Sequence, residues 1–129
     1  MSVESREALA AVGAAAAALL AFPGAAAERA GASGRDPGLL PDDPLRDRVD
    51  DSLDCLALLV RLDAASAAAK VQLAADCVRG TQALAPPGAS LRDNAAEEMA
   101  VRAEIACILT VSERAADGFL GECLALRTA

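Results

Sequence analysis

Histidine, tyrosine and tryptophan are absent from this chain of 129 residues, and phenylalanine occurs only twice. Without histidine there is no usual metal ligand, no usual general base at neutral pH and no His-based triad. Most hydrolytic mechanisms are excluded with it. With so few aromatic rings, a core has few bulky anchors and must rely on close helix–helix approach through small side chains. Positive charge is also scarce. Twelve Lys and Arg stand against nineteen Asp and Glu, for a net charge of −7, which opposes attraction to a phosphate backbone or an anionic membrane. A nucleic-acid role would need a local basic patch. The four cysteines, Cys55, Cys77, Cys107 and Cys123, lie far apart and form no C-x-x-C pair for zinc or redox chemistry. Each sits in an apolar helical pattern, so buried, reduced thiols are expected, with a disulfide framework as the alternative.

What is present is alanine in helical periodicity. The chain is 54% hydrophobic, mostly through alanine, enough for one domain, and the expected fold is all-α. The central element is the stretch from Asp51 to Arg79, free of proline and glycine. Leu53, Ala57, Val60, Ala64, Ala67, Val71, Ala74 and Val78 alternate spacings of four and three and so form one stripe of a helix. Cys55, Leu62, Ala69 and Leu73 make a second, weaker strip. The seam, anchored by Leu53, Val60, Val71 and Val78, exceeds what one short neighbour covers, which points to a homo-oligomer or a further partner.

In chain order, residues 1–24 read as an Ala-rich helix stopped by Pro23 and Gly24. Its packing face is expected to use Leu9, Val12, Ala16 and Leu19 or Leu20. The run from Ala8 to Phe22 is too short and alanine-rich for a membrane span. A secretory signal is the alternative, but its leading region is not basic, so a cytoplasmic location is expected. Residues 25–47 form a Pro/Gly-rich linker, with a short helical turn considered around Ala25 to Ala30. Asp42 and Asp43 precede Pro44 as a helix start. The acids Asp36, Asp42, Asp43, Asp47, Asp50, Asp51 and Asp54 include five close together near a helix N-terminus, which read as cap and dipole stabilisation. A divalent-cation site is the alternative, although no loop there has calcium-binding spacing.

Residues 48–129 make the main helical domain, with the long helix over about 51–80 closed by Gly80 and a hairpin over about 94–127. Ser90 or Asp93 caps the first hairpin helix, whose buried side is expected to hold Met99, Ala103, Ile105, Ala106, Ile108 and Leu109. Val111 sits in the break and Ser112 caps the second helix, through Phe119, Leu120, Cys123 and Leu126. Alanine in the first helix, an apolar turn residue and a serine cap form a helix-turn-helix-like pattern. From Leu91 onward, however, four arginines face seven acids, so a structural hairpin is favoured over a DNA reader. The alternative reading places nucleic-acid contacts at Arg102, Arg114 and Arg127.

The segment Val101 to Asp117, containing Ala103-Glu104-Ile105-Ala106 and Leu109-Thr110-Val111-Ser112-Glu113-Arg114-Ala115-Ala116, resembles the helical hairpin of the domain-of-unknown-function 222 family. Ala67-Ala68-Ala69-Lys70-Val71-Gln72-Leu73-Ala74 is similar to the alanine-rich helix that leads into it, so the likeness spans roughly the last eighty residues. The resemblance implies the helical N-terminal region of an HNH-endonuclease-like protein, truncated or surviving as a small helical protein. Members are typically longer, and many end in a nuclease domain whose metal is held by histidines. With no histidine, none of those catalytic residues can be placed here. The sequence therefore leads to a non-catalytic helical module, with no catalytic, cofactor or metal residues expected, that acts through helix packing or self-association.

Overall fold

A computed structural model describes residues 1–24 and 43–128, apart from the side chains of Glu113, Arg127 and Thr128. The protein is all-α. Among the described residues there are four helices and no strand: α1 (Val3–Leu20), α2 (Pro44–Leu84), α3 (Leu91–Leu109) and α4 (Glu113–Thr128). The helical turn considered around Ala25 to Ala30 lies outside the described residues, as does most of the linker.

The helix ends follow local chemistry. Asp43 caps α2 by accepting from the backbone N–H of Leu45 at 3.1 Å and Arg46 at 3.3 Å, and Pro44 takes the first helical position, where a missing N–H costs nothing. The helix therefore begins at the expected Asp-Pro start and runs unbroken into the stretch from Asp51. It also passes through Gly80, expected as its C-cap, and ends at Leu84. A mid-helix glycine costs only about 1 kcal/mol relative to alanine, which the flanking turns offset. Ser90, one of the two expected caps, closes the start of α3 by accepting from the Asp93 N–H at 3.2 Å, so the helix begins at Leu91. At its other end Thr110 is left-handed at φ 55°, with Val111 N–H donating to the Ala106 carbonyl at 3.0 Å and Thr110 N–H to that of Cys107 at 3.2 Å. This is a Schellman-type stop made without glycine. Ser112 then caps α4 by accepting from the Ala115 N–H at 3.3 Å.

The chain divides into two compact units. One comprises Met1–Leu9 and Ala67–Ala129. Its core is Ala74 of α2, Ile105 of α3, and Leu120 and Cys123 of α4, with Val71, Val78, Val101, Leu109 and Phe119 packed around them. Ala69, Ala75, Ala106 and Ala116 are buried too, the small residues that let helix backbones approach. On α3 the expected buried side is only partly right. Ile105 and Ala106 are inside and Ala103 and Leu109 half-buried, whereas Met99 and Ile108 face solvent. The helix carries apolar residues around its circumference, so periodicity did not single out the face.

The other unit, Ala10–Ser66, holds the rest of α1 and the first half of α2. Its half-buried positions include Val12, Ala15, Ala16 and Leu19 on α1 and Cys55, Leu58, Leu62, Ala65 and Ser66 on α2. Leu20, expected as an alternative to Leu19 on the packing face, is exposed, as is Leu9 in the first unit. On α2 the covered side is thus the strip of Cys55 and Leu62, which looked the weaker one in the sequence.

Candidate functional site

At about 100° per residue, Leu45, Val49, Leu53, Leu56 and Val60 fall within an arc of about 80° on the first half of α2. The half-buried Cys55, Leu58, Leu62 and Ala65 lie nearly opposite. All five aliphatic side chains are more than half exposed, Leu45 at 74% and Val60 at 66%. A stripe of branched aliphatic residues over four turns is a larger apolar surface than scattered leucines make. Of the seam residues expected from the sequence, Val71 and Val78 pack against the core, whereas Leu53 and Val60 stand in solvent. Leu45, Val49 and Leu56 were missed because the strict alternation of four and three led through Ala57 and Ala64 instead. An angular plot begun at Pro44 would have found them.

A second feature is a groove of about 250 Å3 in the Ala67–Ala129 unit, between the end of α2 and the α3–α4 pair. Val78, Val101, Leu120 and Leu124 supply its apolar lining, and Gln82, Glu98, Arg102 and Asp117 its polar one. Arg102 reaches Asp117 through Nε at 3.5 Å and Glu98 at 3.7 Å, and Gln82 Nε2 donates to Glu98 Oε1 at 3.5 Å. These contacts join α2 to α3 and α3 to α4. Arg102, a candidate phosphate contact, is thereby held between two carboxylates. Arg114 is exposed, and the side chain of Arg127 lies outside the described residues. The groove's two acids against one guanidinium disfavour an anionic ligand.

Asp76 organises a third cluster, in the same unit as the groove. Its Oδ2 accepts from the Ser2 backbone N–H at 2.7 Å and from the buried Ser5 hydroxyl at 2.7 Å, and its Oδ1 pairs with Arg79. The two serine hydrogen bonds, then Arg79, hold the Asp76 carboxyl well below the usual carboxylate range. Ser2 also caps α1, its hydroxyl accepting from the Ser5 N–H at 3.1 Å. The cluster is an anchor between the start of α1 and α2, with no nucleophile in it beyond two hydroxyls.

The cysteines differ from the expectation of four buried thiols. Cys123 is 1% exposed, Cys55 is half-buried, and Cys77 and Cys107 are exposed; all four are free. Burial, then the charge of Glu122, pushes the Cys123 thiol up, which keeps it protonated and inert. Among the described residues no group of three His, Cys, Asp or Glu side chains could hold a metal ion. The carboxylates at the start of α2 therefore do not converge on a cation site among those residues. No described helix is long and apolar enough to cross a membrane. No protein-family model, curated protein or solved structure matches the chain.

Proposed function

We propose that the protein is a non-catalytic helical module, related to the N-terminal region of HNH-endonuclease-like proteins, that works by helix packing through the bare half of α2, and that it self-associates there. The observation that carries this reading is the exposed stripe Leu45, Val49, Leu53, Leu56 and Val60. Burying one such side chain completely contributes about 1.5–3 kcal/mol. These are already partly covered, so each contributes roughly half of that on association. Summed over two copies, this is comparable to the roughly 4–15 kcal/mol that association costs in lost freedom. A concentration-dependent complex follows, rather than a permanent one.

The relationship to the nuclease-associated family is supported by the order of long helix, capped turn and hairpin, with Ile105 and Ala106 of the shared motif in the core. Arg102, held between Glu98 and Asp117, weighs against nucleic acid as the partner. The test is light scattering of the full chain across a concentration series. A dimer that forms with rising concentration, and is lost in Val60→Asp without loss of helicity, supports the reading. A wild-type monomer at every concentration removes it.

A further inference from the structure

We infer that the partner on this stripe is a second copy of the chain lying antiparallel, about a two-fold axis that passes between Leu53 and Leu56. The inference rests on the self-association reading and adds orientation and register to it. Leu45, Val49, Leu53, Leu56, Val60 and the exposed Ala64 are spaced by four, four, three, four and four residues. That order reads the same in both directions. Turned about the midpoint between Leu53 and Leu56, the stripe falls on itself: Leu53 meets Leu56 of the second copy, Val49 meets Val60, and Leu45 meets Ala64. An isologous interface requires this self-complementarity.

Two further observations fit the same register. Asp50 and Arg61 flank the stripe on one side, and Arg48 and Asp63 on the other. An antiparallel two-fold brings like flanks together, so Asp50 faces Arg61 of the second copy and Arg48 faces Asp63, each within about 3 Å of the same height on the axis. Length also decides between orientations. In this register the second helix begins, at its Pro44, opposite Ala65, and so stops short of Val71, Ala74 and Val78, which are already packed in the α2–α3–α4 core. A parallel pair would continue along the seam into those filled positions.

The test compares wild type with Arg61→Asp and with the swap Asp50→Arg/Arg61→Asp, all as full-length chains, by sedimentation equilibrium at low salt. The antiparallel register predicts that Arg61→Asp alone weakens the dimer roughly tenfold, because two exposed attractive pairs become repulsive. The double swap should restore it to within about twofold. A parallel pair would set Asp50→Arg beside Arg48 and Arg61→Asp beside Asp63, so the swap would weaken it further. A dimer that the swap fails to rescue overturns the antiparallel register while leaving self-association standing. A wild-type chain that stays monomeric overturns both.

Discussion

Residues 44–66 and 67–84 belong to one helix and carry one seam, yet the two halves meet different fates. In the second half Val71, Ala74 and Val78 are packed with Ile105, Leu120 and Cys123. In the first half the corresponding face, from Leu45 to Val60, is bare. The difference lies in what the chain places beside each half, since the apolar periodicity is continuous through both. One half of α2 is therefore a core helix, and the other is a surface whose side chains contribute little to the folded monomer.

The sharpest contrast comes from truncating each half's environment. Leu120→Ala should cost about 2–5 kcal/mol in urea unfolding, the usual range for emptying a buried leucine site. Val60→Ala, measured under conditions where the protein is monomeric, should change stability by no more than about 0.5 kcal/mol. Equal costs would show that the bare half is covered within the monomer. Next, Asp76→Asn should destabilise by loosening the Ser2 and Ser5 contacts. The sign follows from the depressed carboxyl. Its stabilisation is fully present above the ordinary carboxylate range near pH 4 and is lost as pH falls through the native value, so wild type and variant should differ at pH 7 and converge in strong acid. Ser112→Ala should cost about 1 kcal/mol by removing the α4 cap. Thr110→Gly should have the opposite sign, stabilising by about 1 kcal/mol, because glycine occupies the left-handed stop without steric cost. Gln72 has a buried Oε1 without a hydrogen-bond partner among the described residues, and Gln72→Met should raise stability by up to about 1 kcal/mol. Thermal melts on this last variant check whether the packed half of α2 tolerates an apolar side chain there.

The helices themselves were legible because their punctuation is local. Asp43-Pro44, Ser90 and Ser112 each satisfy the first N–H groups of a helix, and that chemistry is visible without a fold. Gly80 misled for the complementary reason. A glycine marks a stop only when the chain turns left-handed there, and here Thr110 took that role in α3 while Gly80 stayed helical. That one short neighbour would leave part of the long seam uncovered could be read from its length. Which part of the seam is bare could not, because that depends on α3 and α4 packing against Val71 and Val78. The groove beside Arg102 was invisible for the same reason, since its walls come from three separate helices. Exposure of Met99, Ile108, Cys77 and Cys107 likewise reflects the choice among several apolar faces, which only tertiary contacts make.

The central claim is that a second helix covers the bare half of α2 in solution. Hydroxyl-radical footprinting of the full chain at low and high protein concentration tests it side chain by side chain. Oxidation of Leu53, Leu56 and Val60 should fall as concentration rises, while Leu84 and Leu91, exposed but off the stripe, keep their reactivity. Unchanged oxidation of all five across the series would contradict the account.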